Sequence, residues 1–195
     1  MAKSVADKMI VKCGVIGGVI IFLWGMLAWI VFPWQSQVLK KFNNEQMVYD
    51  VIKENMTESG VYVLPNMYTY ASGMDQQQLN KEAVDQNKMM LAGPVMFAAV
   101  TQEGVSDKMT IGSFIVYLII QIVGVTAAVW LLSKTMIRGF KHQVLFFTCF
   151  GALIGLLGIL PLWTWWGFSI AYVFTCWIQL VIGWCLAGLA IAKLK

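Results

Sequence analysis

Apolar residues dominate four stretches of the chain, Gly14 to Phe32, Met109 to Leu132, Val144 to Leu162 and Ser169 to Ala192, and none of them contains an Asp, Glu, Lys or Arg. Each is about 20 residues long, which at a rise of about 1.5 Å per residue matches the roughly 30 Å hydrocarbon core of a bilayer. The pattern predicts four transmembrane helices. The last two are joined by Leu162-Trp163-Thr164-Trp165-Trp166-Gly167-Phe168 and form an expected hairpin. Pro33 and Trp34 end the first span. Ser106 is the expected N-cap of the second, with Asp107 in the first turn, where a negative charge suits the helix dipole.

The segment from Gln35 to Lys108 is polar and mixed in charge. Asn43, with Gln46 three residues on, predicts a helix start, followed by Val48, Val51 and Ile52 at helical spacing and a stop before Ser59-Gly60. Val61 to Leu64 predicts a short strand closed by Pro65-Asn66, Gln76 to Lys88 a second helix, and Val95 to Val100 a second strand. Met89 to Thr101 is apolar but too short to cross a membrane, and Gly93-Pro94 would break a helix in its middle, so a re-entrant half-helix is the alternative to the strand. The expected organisation is an N-terminal tail and first helix at 1–34, a small α+β insertion at 35–108, and three further helices at 109–195 with a basic loop at 133–143. The fold class is an all-α membrane protein carrying that insertion between helices one and two.

Composition agrees with this reading. Of 195 residues, 59% are hydrophobic and only 12% charged, against about 25% charged in soluble domains, and the mean hydropathy is +0.70. The net charge of +4 is unevenly spread. Lys3, Lys8 and Lys12 precede the first span, Lys134, Arg138 and Lys141 lie between the second and third, and Lys193 and Lys195 follow the fourth, against Asp7 alone. The segment 35–108 holds nine of the ten acidic residues. Basic residues favour the cytoplasmic side, so both termini are expected inside and the insertion outside. The first span is expected to be a retained signal anchor, since its apolar run is too long for a cleaved signal and no small-x-small site follows. A bacterial inner membrane with a periplasmic insertion is the expected location. The basic residues do not share one amphipathic face, so no nucleic-acid partner is expected.

Small residues recur at helical spacing in all four spans. Gly14 and Gly18 form a G-x-x-x-G pair; Gly124 marks the second span, Gly151, Gly155 and Gly158 the third, and Gly183 with Ala187 the fourth. Such residues let helices approach closely where lipid gives no hydrophobic drive for association. Trp34, Trp163, Trp165 and Trp166 at one membrane surface and Trp130 at the other are expected interfacial anchors. Trp24, Trp29, Trp177 and Trp184 lie deeper, where an indole N–H needs a partner. Gln121 and Gln179 are the strongly polar mid-span side chains and are expected to hydrogen-bond between helices.

Chemistry is sparse. Haem needs axial ligands on facing helices, and the single histidine, His142, lies in the basic loop. Proton relays and ion-coupled carriers hold ionisable residues within the membrane, and these spans have none. Hydrolase, zinc-protease and phosphate-loop motifs are absent from the sequence. Met47, Met56, Met67, Met74, Met89, Met90, Met96 and Met109 could offer thioether ligands to Cu(I), but only Met89 and Met90 are close in sequence, and adaptable apolar packing explains them as well. Cys13, Cys149, Cys176 and Cys185 lie in or beside apolar runs and are expected to be small hydrophobes without disulfides. Asn55-Met56-Thr57 is a lone match to a glycosylation acceptor.

No catalytic residue, cofactor or metal is therefore expected. The leading functional expectation is a non-enzymatic accessory or scaffold subunit that packs against other membrane subunits or its own copies, with membrane lipids as constant partners. A binder or carrier of a lipid or small hydrophobic molecule is the second expectation, and copper handling a third.

Overall fold

The computed structural model of the protein describes residues 2–66, 73–104 and 106–194, apart from the side chains of residues 2–6 and 107. In order, the elements are α1 (Ala2–Ile30), α2 (Trp34–Val38), α3 (Glu45–Asn55), β1 (Gly60–Leu64), α4 (Gln76–Ala92), β2 (Met96–Val100), α5 (Asp107–Ser133), α6 (Phe140–Gly158), α7 (Leu160–Trp166) and α8 (Ile170–Leu194). They form two compact units, Met1–Lys40 with Ser106–Lys195, and Lys41–Val105.

The first unit contains four helical stretches long and apolar enough to span a membrane, Asp7–Ile30, Lys108–Ser133, Phe140–Trp166 and Ile170–Leu194. Helix α1 packs against α5 on one side and α8 on the other, and α8 packs in turn against α6, whereas α5 and α6 touch little. The helices thus follow one another in the series α5–α1–α8–α6. Neighbours in the series run antiparallel: Gly18 of α1 meets Ile122 of α5 and Gly25 meets Tyr117, while Gly151 of α6 meets Trp184 of α8 and Gly155 meets Trp177. The buried core is shared by all four and includes Ile21, Val125, Val129, Leu132, Phe147, Trp184, Ala187 and Ile191.

Local chemistry sets the breaks. Ser106 caps α5 as expected, its Oγ accepting from the Met109 N–H at 3.3 Å. The third span was expected to run to Leu162, but α6 ends at Gly158 and a separate helix, α7, occupies most of the expected linker. Pro161 lies in the first turn of α7, where a missing N–H costs nothing. Gly167 ends it in the left-handed region at φ 69°, which is accessible to glycine at little cost. Its N–H and that of Phe168 both return to the Leu162 carbonyl, satisfying the end of the helix. Helix α2 was not anticipated; its Trp34 Nε1 and Gln35 Nε2 both donate to the Ala28 carbonyl, at 2.7 and 3.0 Å, and so cap the last turn of α1.

In the second unit β1 and β2 pair antiparallel, from Gly60 opposite Val100 to Leu64 opposite Met96. The stretch Met89 to Thr101 is therefore the end of α4, a turn and a strand, not a re-entrant helix. The α3 cap is Asn44, one residue beyond the expected Asn43, because its side chain reaches the Met47 N–H at 3.0 Å. Helix α4 runs to Ala92, beyond Lys88, and opens on a capping box that sequence reading passed over: Asp75 accepts from the Gln78 N–H at 2.8 Å, and Gln78 accepts from the Asp75 N–H at 3.1 Å. Among the described residues of this unit only Pro65 is buried, and every residue of the hydrophobic core belongs to the other unit. Two helices and a two-stranded sheet without a core are marginal by themselves.

Candidate functional site

Side chains at the helix crossings are arranged by glycine. A Cβ added at Gly14 would collide with the Thr126 hydroxyl, and one at Gly18 would lie 2.6 Å from the Ile122 Cα, so α1 and α5 meet backbone to backbone. The Thr126 hydroxyl that faces Gly14 is satisfied within its own helix, its Oγ1 donating to the Ile122 carbonyl at 2.7 Å. Gly17, which the spacing argument overlooked, lies between Val125 of α5 and Ile191 of α8, each about as near as 2.7–2.8 Å to an added Cβ. Its signal was its place one residue before Gly18, which puts glycine on a second flank of α1. Gly188, also overlooked, accommodates Phe147 of α6.

Three deep tryptophans use the same device. The indole of Trp24 lies over Gly183 and its Nε1 donates to the Gln179 carbonyl at 2.8 Å. The indole of Trp177 lies against Gly155 and donates to the Ala152 carbonyl at 3.0 Å. Trp184 fills the space over Gly151 and stacks on Phe147, with ring centroids 6.4 Å apart. A helix carbonyl, already bonded within its own helix, has a second lone pair to offer, and a glycine one turn away removes the side chain that would shield it. Trp24 and Trp177 therefore find their partners inside the bundle. Replacing Trp24 with Phe keeps the ring and loses the donor; membrane hydrogen bonds of this kind are worth about 0.6 kcal/mol on average, and the expected result is a loss of about that size in a detergent-denaturation titration.

The other expected positions are placed as follows. Ala187 is fully buried, and a Cβ at Gly124 or Gly158 meets nothing within 4 Å. Gln121 and Gln179 are half-buried on different helices that do not adjoin in the series. Trp130, Trp163, Trp165 and Trp166 are exposed, whereas Trp34 is half-buried on the end of α1. Of the expected methionine ligands, Met47 lies in α3, Met89 and Met90 in α4, Met96 in β2 and Met109 in α5, Met56 just after α3 and Met74 just before α4, while Met67 lies outside the described residues. His142 is exposed.

Open apolar space occurs beside α5. Gly25, Met26, Trp29 and Ile30 of α1 with Ser113, Phe114 and Tyr117 of α5 line a groove of about 520 Å³. A second of about 450 Å³ adjoins it along α5, sharing Ser113 and Tyr117 and running past Met109, Gly112, Val116 and Ile120. The half of α5 between Met109 and Ile120 is thus held on one side only.

This geometry defines a class: a multi-pass helical membrane protein whose helices dock through glycine, with a small α+β unit inserted after the first span. Compared with protein-family models, curated proteins and solved structures, the chain shows no match.

Proposed function

We propose that the protein is an accessory or scaffold subunit of a larger membrane assembly, with its termini and the 133–143 loop on the cytoplasmic side and the inserted unit on the extracytoplasmic side. The observation that carries this reading is that the inserted unit buries no hydrophobic core among its described residues. It exposes Val51, Val61, Leu64, Met89, Met90, Leu91 and Val95, with Leu91 82% accessible, apolar side chains that a covering partner would take out of water. The series arrangement adds to it, because α5 and the α6–α7 arm each have one packed flank and one open flank.

The test is purification from native membranes in mild detergent followed by native mass spectrometry and cross-linking. A second polypeptide, or a second copy, in fixed stoichiometry is expected; a lone monomer under several mild conditions would end the proposal. A substitution sharpens it. Leu91→Asp replaces an exposed side chain, so the melting temperature of the isolated chain should stay within about 1 °C, consistent with the ±0.5 kcal/mol typical of surface changes, while recovery of the partner falls about tenfold or more.

A second reading rests on the two grooves. Their volumes lie within the roughly 300–1,000 Å³ of ligand clefts, and their linings fit an acyl chain or a similar hydrophobic molecule. Around Gln179 and Trp177 the space is filled by the protein's own indoles, so a ligand would lie along α5. Stoichiometric recovery of one hydrophobic compound, lost on Gly25→Leu, would favour this reading over the first.

A further inference from the structure

One end of the transmembrane unit is charged in one sense. The antiparallel series brings the start of α1, the end of α5, the start of α6 and the end of α8 together. Lys8, Lys12, Lys134, Arg138, Lys141 and Lys193 are all exposed there, with Asp7 as the opposing charge among the described residues. The ion pairs found among the described residues, Lys41 with Glu45 and Lys88 with Asp85, both lie in the inserted unit. The six cations therefore have no carboxylate of the described residues within ion-pair distance.

The connection between α5 and α6 is folded back on the bundle. Thr135 Oγ1 donates to the Leu132 carbonyl at 2.8 Å and accepts from the Ile137 N–H at 3.2 Å, and Ile137 packs against the core. Arg138 Nη1 donates to the carbonyls of Thr135 and Ile137, at 3.2 and 3.0 Å, which holds its guanidinium at the loop, with the further N–H groups of the fork still to offer. Lys134 Nζ lies over the Trp130 ring, 5.5 Å from its centroid. Amid these cations Met136 is 97% exposed and Phe140 43% exposed. An unshielded apolar side chain flanked by fixed cations, directly at the end of two spans, matches the layered chemistry of a lipid leaflet: acyl carbon beside phosphate.

We propose that the 134–141 connection, with Lys8 and Lys12 beside it, is a binding surface for anionic phospholipid headgroups, Met136 entering the acyl boundary while Lys134, Arg138 and Lys141 meet the phosphates. A soluble anion would answer the charge but leave Met136 in water. The surface does not depend on the accessory-subunit reading and stands whether or not a partner chain exists.

The test uses the full chain in neutral detergent, titrated with phosphatidylglycerol or phosphatidylcholine, with retained lipid counted by native mass spectrometry. Phosphatidylglycerol should bind at least about tenfold more tightly, and the preference should shrink as salt rises. A basic side chain near a charged leaflet contributes about a fivefold factor, so Lys141→Gln should weaken phosphatidylglycerol binding about fivefold, Lys141→Arg should restore it, and the combined K134Q/R138Q/K141Q variant should abolish the preference. Met136→Asp should weaken both lipids. Equal binding of the two lipids by the unmodified chain, or an intact preference in the triple variant, overturns the proposal. Displacement of phosphatidylglycerol by millimolar inorganic phosphate would do so too, by showing a soluble-anion site. If the triple variant does not accumulate, the Gln and Arg replacements at Lys141 carry the decision.

Discussion

Gly18→Leu should separate α1 from α5 and lower the stability of the bundle by about 3 kcal/mol or more, toward the upper range for overpacking of a core. An added Cβ at Gly18 already lies 2.6–2.7 Å from the Ile122 Cα and N, atoms of a helix backbone that cannot rotate away. The remaining leucine carbons would force the two axes apart along their length, with Gly14 and Thr126 one turn further losing contact as well. In lipid there is no hydrophobic reward for re-forming a looser contact, because acyl chains pack against leucine as well as protein does. Gly124→Leu on α5 is the matched control: its Cβ meets nothing within 4 Å, so the isolated chain should melt unchanged. The measurement is thermal aggregation followed by size-exclusion fluorescence in one detergent. Equal behaviour of the two variants would refute the assignment of α1 and α5 as a close-packed pair.

That contrast also shows how far the sequence could be read. Gly14, Gly18 and Gly124 look alike in a list of small residues at helical spacing, and periodicity identifies all three as positions where close approach is possible. It does not identify which of them has a neighbour, because that depends on the order α5–α1–α8–α6, and nothing in an apolar span names its partner. Gly17 carried a legible signal: glycine at both i+3 and i+4 from Gly14 widens the small face of α1 until it touches two helices. The four spans, the Ser106 cap and the two strands were legible because length, a capping oxygen and short apolar runs bounded by turn residues act locally. Helix α7 was not, since aromatic residues beside a proline read as an interfacial turn, and only the return of the Gly167 and Phe168 N–H groups to Leu162 reveals the helix. The indole partners were hidden for a deeper reason. Trp24 and Trp177 donate to main-chain carbonyls of other helices, and every residue has such a carbonyl, so no sequence pattern marks the acceptor.

The α6–α8 contact should behave as a coupled unit. Trp184 is almost wholly buried, stacks on Phe147 and lies 5.1 Å centroid to centroid from Phe150, and a Cβ on Gly151 would fall 2.5–2.6 Å from its Cβ and Cγ. Trp184→Ala removes the ring and leaves a cavity, a change that costs about 3–5 kcal/mol in a packed core; the loss here is of dispersion contacts more than of transfer from water. Gly151→Leu drives the same ring out of place and should cost about 1–3 kcal/mol. Combined, the leucine side chain enters the space the indole vacated, and although the close approach to the Cβ at position 184 remains, the clash with the ring is gone, so the double variant should be more stable than the sum of the two losses by about 1 kcal/mol, within the range found for residues in contact. Equilibrium unfolding of the four proteins in mixed micelles measures this directly. Strict additivity would mean that Gly151 and Trp184 do not share a contact, and the glycine-seated indole would then not be what joins α6 to α8.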